Sequence, residues 1–326
     1  MSDTSLNKLV VILGTNASGK SGLGIELALK FGAEIVSADS RQVFKGLDLG
    51  SGKVTEEEMK GIPHFLLDVA EPGDFFSLMD YQKLAYEAID GILVRGKTPF
   101  LVGGTGLYVN AVVDGYQLTD APVDPELRKK VEAMSLEELR EFISARMPSD
   151  RESGMTDMDF SKAEEIGQGK KSGWPEKLDM NNKRRLERAA EKLLMGKPLN
   201  LESVKRYETL CLGVTWERQK LYKRIEERLD RRLEQGMIEE VEGLMARGVS
   251  DDFLYKLGLE YRYIMLYLRG KFASKEAFRD KLFMEIRHLA KEQMTWFRKR
   301  RDIIWLDMEG NPLGQAEELI SQFLST

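Results

Sequence analysis

Five apolar residues, Leu9-Val10-Val11-Ile12-Leu13, run directly into Gly14-Thr15-Asn16-Ala17-Ser18-Gly19-Lys20-Ser21, and this junction constrains the chain more than any other feature. The octapeptide fits G-x-x-x-x-G-K-[ST], a pattern that binds phosphate only when a strand precedes it and a helix follows. Leu9 to Leu13 has strand length, and Lys20 to Lys30 reads as a helix. The glycines let successive backbone N–H groups turn inward around phosphate oxygens. Lys20 adds a point charge, the helix N-terminus adds its dipole, and the Ser21 hydroxyl can ligate Mg²⁺. Such a cradle accepts any diphosphate with its metal, so it does not by itself specify ATP.

The runs Glu34 to Ala38 and Pro99 to Val102 alternate with helical stretches, which predicts an α/β core with a parallel sheet over residues 1–118. Beyond Asp120 the strand-like runs stop. Pro122, Pro125, Pro148 and the Gly167 to Gly173 loop break up short polar helices, so residues 119–179 are read as a helical insertion. Residues 180–326 are expected to be the mostly helical remainder of the core, with helices over Trp216 to Gln235 and Ser274 to Lys299 and one late strand at Ile303 to Leu306. A length of 326 residues accommodates a core and a second unit.

Composition narrows the class. Hydrophobic residues at 42% fill a real core, and 32% charged with a net charge of −5 excludes a generally basic coat. No apolar run is long enough for a membrane span. The single cysteine, Cys211, has no internal disulfide partner, and with only two histidines there is no structural zinc cluster. These features fit a reducing, cytoplasmic compartment, and the protein is expected to be a monomer. Charge is unevenly spread: basic residues outnumber acidic ones between Asn181 and Gln235 and again between Arg279 and Arg301. That asymmetry raises nucleic acid as a partner, against the alternative of solvated helix faces laced with i,i+4 pairs.

Asp39 emerges at the C-terminal end of the second predicted strand, the edge where open α/β sheets build their sites. With Ser40, Arg41 and Gln42 it offers a carboxylate for a proton or metal, a cation for a phosphate and an amide for a base edge, or else Asp39 is a helix N-cap. A second glycine loop, Gly103-Gly104-Thr105-Gly106, follows the strand at Phe100 to Val102 and is either a site loop or a structural turn. Asp68, after Phe65-Leu66-Leu67, is a weak Walker-B-type candidate. Cys211, Trp216, Trp296 and Trp305 are expected in the core, and His64 as a hydrogen-bonding loop residue.

Taken in order, Gly14 to Ser21, Asp39 to Gly46, Pro63-His64, Leu101 to Tyr108 and Gln293-Met294-Thr295-Trp296-Phe297 resemble the tRNA dimethylallyltransferases, bacterial type. The resemblance implies a P-loop NTPase-like core whose cradle, Gly14 to Ser21 with Arg224, holds the diphosphate of dimethylallyl diphosphate with Mg²⁺ at Ser21. It implies transfer of the prenyl group to N6 of the adenosine at position 37, beside the anticodon of tRNA, without consumption of ATP. Lys20, Asp39, Thr105 and Arg224 are then the catalytic set: Asp39 is the general base, Thr105 shapes the site, Arg224 is a diphosphate cation, and Arg218 is a weaker candidate for that role. Asp39, Ser40, Arg41, Gln42, Thr105, Arg128, Asn181, Asn182, Lys183, Arg184, Arg185, Tyr261 and Arg262 are implied to contact tRNA.

The chain departs from the family pattern at Ser51-Gly52-Lys53-Val54, Asp179-Met180-Asn181-Asn182, Glu260-Tyr261-Arg262-Tyr263 and Lys291-Glu292. None of these touches Lys20, Asp39 or Thr105. Two rival readings stand beside this one: an ATP-dependent P-loop kinase of a small metabolite or nucleotide, and a non-catalytic RNA-binding module whose cradle docks backbone phosphate.

Overall fold

Strand β1 (Asn7–Gly14) sits inside a six-stranded sheet because both of its faces are apolar: Leu9, Val11 and Leu13 pack on one side, Val10 and Ile12 on the other, all fully buried. In this computed structural model, residues 6–118, 124–146, 178–197, 199 and 202–326 are described. Pro122, Pro148 and the Gly167 to Gly173 loop lie outside them.

After β1 come α1 (Lys20–Phe31), β2 (Glu34–Ala38), α2 (Glu56–Met59), β3 (His64–Phe65), α3 (Leu78–Val94), β4 (Pro99–Gly103) and α4 (Gly106–Val113). Then follow α5 (Pro125–Glu132), α6 (Leu136–Ser144) and α7 (Lys183–Leu194). The chain continues through β5 (Tyr207–Thr215), α8 (Arg218–Glu234), α9 (Met237–Ala246), α10 (Asp251–Leu257), α11 (Leu259–Leu268), α12 (Lys275–Phe297), β6 (Ile303–Asp307) and α13 (Pro312–Ser325).

The sheet order is β3-β2-β4-β1-β5-β6 and every pairing is parallel. One face is covered by α1 and α13, whose Leu23, Leu27, Ala316 and Ile320 meet Val10, Ile12 and Phe100. The other face carries α3, α4 and the helices from α8 to α12. Burying each of the larger apolar side chains among these contributes on the order of 1.5–3 kcal/mol. This is the P-loop NTPase-like α/β core expected from the sequence.

Two features differ from the sequence reading. Strand β5 was not anticipated in the helical half, yet it pairs with β1 from Asn7↔Tyr207 to Gly14↔Val214. Its apolar run, Leu210 to Val214, is short and interrupted by Cys211 and Gly213, so only the partner strand makes it visible. The chain also divides into residues 1–116 with 204–326, and a smaller unit of 117–203, so the second boundary lies well beyond the expected residue 179. The reason is α7, whose Leu186, Ala189 and Ala190 form one apolar stripe buried with Val131 of α5 and with Leu139 and Ile143 of α6.

Candidate active site

The cradle is built at the C-terminal end of β1. Gly19 takes a left-handed conformation (φ 87°) as the N-cap of α1 and offers no side-chain cap, which leaves the first helical N–H groups for an anion. Ala17 is also left-handed (φ 60°), a strained setting for a residue with a Cβ and one that turns successive N–H groups to one side. The Ser18 hydroxyl is buried without a hydrogen-bond partner among the described residues. Loop and helix start together line a cavity of about 430 Å³, whose walls also include Asp39, Gln42, Ser51, Gly52, Arg224 and Arg228.

Lys20 is 9% exposed, and its ammonium donates to the Thr15 carbonyl at 3.3 Å. Burial pushes its pKa down to about 8, opposed by the nearby Asp39 carboxylate and reinforced by Arg228 and Arg232. Arg224 donates from Nε to the Ala17 carbonyl at 3.1 Å, and its guanidinium stacks over Trp216, 4.4 Å from the ring centroid. Trp216 in turn donates its indole N–H to the Ser18 carbonyl at 2.8 Å, so this aromatic pins the cradle. Four residues on, Arg228 reaches the Gly52 carbonyl at 3.4 Å. Burial lowers the pKa of both Arg228 and Arg232, and Arg232 is pushed down to about 9, with the Arg228 charge as the second cause. Arginine remains charged under ordinary conditions, so both guanidinium groups bring buried positive charge to this wall of the site.

Asp39 follows β2 and faces the same cavity, with Oδ1 accepting the Arg41 backbone N–H at 3.0 Å. It closes a turn and does not cap a helix. Thr105, at the start of α4, accepts the Ser40 backbone N–H at 3.0 Å and thereby ties the second glycine loop to the loop that carries Asp39. Gly104 lies so close that a Cβ there would sit 3.3 Å from the Lys20 Nζ and 3.1 Å from the Gly14 carbonyl.

Gly14 to Ser21, Asp39, Gln42 and Arg224 are therefore brought together, with Thr105 behind them. Other expectations are redirected. Arg218 is exposed and bonds the Tyr222 hydroxyl, away from the cavity. Arg41 is ion-paired with Glu260 at 3.1 Å. Tyr261 is fully buried and cannot meet a macromolecule; its hydroxyl donates to Glu240. Arg262 donates to the Tyr255 carbonyl and stacks on that ring. Asp68 pairs with Lys53 and does not line the cavity, so the Walker-B-type candidate fails. His64 bonds the Ile62 carbonyl at 2.8 Å, and Cys211 is buried, with burial raising its thiol pKa to about 11.

In the smaller unit, Asn182 caps α7 through its side chain, Asn181 accepts from Arg140, Lys183 donates to the Glu132 carbonyl, and Arg128 pairs with Glu191. Arg184 and Arg185 are exposed. Arg228 and Arg232 were missed by sequence reasoning, although their spacing of four and eight from Arg224 places them on one helix face.

The sequence matches the IPP transferase family over residues 42–300 and the Isopentenyl transferase family over residues 7–71. The chain belongs to the IPP transferase family. Among its relatives, the tRNA dimethylallyltransferase of an Exiguobacterium species is 40% identical, with 92% of this chain and 90% of the relative covered. The tRNA dimethylallyltransferase 2 of Shewanella sediminis is 39% identical over 96% of this chain and 97% of its own. The crystal structure of a tRNA isopentenylpyrophosphate transferase from Bacillus halodurans superposes with a TM-score of 0.69 at 35% identity, covering 98% of this chain and 97% of that one. A eukaryotic dimethylallyltransferase that acts on tRNA shares the fold, with a TM-score of 0.77 at 22% identity, 98% of this chain and 80% of that one being covered. Among the described residues, no helix is long and apolar enough to cross a membrane.

Proposed function

We propose that this enzyme, a tRNA dimethylallyltransferase, holds the diphosphate of dimethylallyl diphosphate in the Gly14 to Ser21 cradle and uses Asp39 as the base that takes the proton from N6 of the acceptor adenosine, at position 37 beside the anticodon. One observation carries the reading: Lys20, Arg224 and Arg228 line a single cavity with Asp39 and the uncapped start of α1.

In the reaction, the bond between C1 of the dimethylallyl group and a diphosphate oxygen breaks as the bond from C1 to N6 forms. Negative charge builds on the departing oxygens, and preorganised cations lower that barrier because they need no reorganisation. Lys20 and Arg224 meet the departing charge, and the N–H groups of the cradle orient it. Asp39 accepts the amine proton. A carboxylate held by the Arg41 N–H keeps a free oxygen for this task. Thr105, through Ser40, fixes the Asp39 loop relative to the cradle.

Mg²⁺ needs an oxygen donor or two beside phosphate oxygens and water. The Ser21 hydroxyl lines the cavity and supplies one such donor beside the diphosphate, although no cluster of three or more acidic, His or Cys side chains forms among the described residues. Bound there, Mg²⁺ would neutralise diphosphate charge. Arg184 and Arg185 on the exposed face of α7, with Arg128, are assigned to the phosphate backbone of tRNA, the kind of contact that fixes register and brings salt dependence.

The test incubates the protein with Mg²⁺, labelled dimethylallyl diphosphate and unmodified tRNA, with ATP alone in a parallel tube. Label in tRNA without ATP is expected. Consumption of ATP with no label in tRNA would return the protein to the P-loop kinases.

A further inference from the structure

The segment between β2 and α2 makes a tight loop over residues 48–53, and a glutamate from elsewhere in the fold grips it. Glu240, on α9, accepts the backbone N–H groups of Asp48 at 3.0 Å and Leu49 at 2.6 Å through Oε2, and that of Gly50 at 3.1 Å through Oε1. The buried Tyr261 hydroxyl donates to the same Oε1 at 3.1 Å. Gly50 packs on the Tyr261 ring so closely that a Cβ would lie 2.6 Å from a ring carbon. A carboxylate that collects successive backbone N–H groups makes short, charge-assisted bonds, stronger than neutral ones.

The far end of the loop belongs to the cavity. Ser51 and Gly52 line it, and the Gly52 carbonyl accepts from Gln42 Nε2 at 3.2 Å and Arg228 Nη2 at 3.4 Å. Gly52 is left-handed (φ 66°), and a Cβ there would fall on the guanidinium groups of Arg232 and Arg228. The arginines thus rest on the Gly52 backbone, and the loop's first half is locked by Glu240. Glu240 itself does not line the cavity.

We propose that Glu240 is a positioning residue for the donor pocket: it fixes the 48–53 loop so that Arg228 and Gln42 are set on the Gly52 carbonyl before the diphosphate arrives. This rests on the diphosphate reading given above. Removing the carboxylate leaves the N–H groups of Asp48, Leu49 and Gly50 unpaired, frees the loop and lets Arg228 drift. Donor affinity falls, and tRNA affinity does not.

The experiment titrates inorganic diphosphate with Mg²⁺ into the wild-type protein and the Glu240→Gln and Glu240→Ala variants by calorimetry, alongside melting curves and separate KM values for donor and tRNA. In Glu240→Ala, diphosphate affinity should fall about tenfold or more, with a parallel rise in donor KM and a tRNA KM within about twofold of wild type. Glu240→Gln keeps one acceptor oxygen and should fall between. Should the Ala variant not fold, the Gln variant decides alone. Variants that melt like wild type and bind diphosphate as tightly overturn the role of Glu240 and leave the donor pocket standing. A wild-type protein that does not bind diphosphate overturns the pocket assignment and this inference with it.

Discussion

Gln293 accepts the backbone N–H of Asn16 at 2.9 Å, so a residue of α12 holds the second residue past Gly14 in the cradle. Its Nε2 also donates to the Gly104 carbonyl at 3.0 Å, and one side-chain amide therefore spans both glycine loops. Replacing it by Ala orphans a cradle N–H and a carbonyl together. We expect Gln293→Ala to lower kcat/KM for the donor by about tenfold, with the melting temperature little changed. Gln293→Glu should cost more, because the added charge repels both Gly104 and the diphosphate. Steady-state kinetics at varied donor and fixed tRNA measure both.

The position of Lys20 sets a pH limit. Its pKa is lowered to about 8, so the charged form that attracts diphosphate prevails below that pH and is lost above it. In the free enzyme, donor kcat/KM should decline as pH rises through about 8. Bound diphosphate favours the ammonium and raises its pKa, so kcat should decline only at higher pH. Lys20→Ala should remove this alkaline limb and weaken donor use throughout. A pH–rate profile that is flat to pH 10 for wild type would contradict the assignment.

Asp39 separates chemistry from binding. Asp39→Ala removes the base and leaves the cations of the cradle in place, so turnover should fall by roughly 10² to 10⁴ while tRNA affinity holds. Single-turnover rates and a filter-binding Kd on the same preparation distinguish the two. Equal losses in rate and affinity would mean that Asp39 only binds.

Arg184 and Arg185 are expected to act through charge alone. Changing both to Glu should raise the Kd for tRNA about tenfold or more, and flatten its dependence on salt by about one unit of slope per lost phosphate contact. Donor KM should stay as it is. Binding titrations at two or more salt concentrations give the slope.

The cradle was legible in the sequence because its chemistry is written in consecutive residues: Gly19 for the left-handed turn, Lys20 for charge, an apolar strand before and a helix after. Asp39 and Arg224 were legible too, the first as a carboxylate at a strand end, the second through family resemblance. Arg228 and Arg232 repeat along one face of α8, yet an Arg-rich helix reads equally well as a solvated surface. Tyr261 shows the opposite error: the family resemblance implied a tRNA contact there, and its full burial rules that out.

Local sequence by itself determined the elements that local forces dictate: an apolar β1, the uncapped start of α1, the α/β alternation up to β4, and the residue types able to hold a phosphate. Tertiary structure decided whatever depends on partners distant along the chain. It placed β5 beside β1, moved α7 into the smaller unit because its apolar stripe matches α5 and α6, and brought Trp216, Arg224, Glu240 and Gln293 to loops that lie far from them in sequence. The physical reason is the same in each case: a backbone carbonyl or N–H will accept any matching partner, and only the folded chain selects which one arrives.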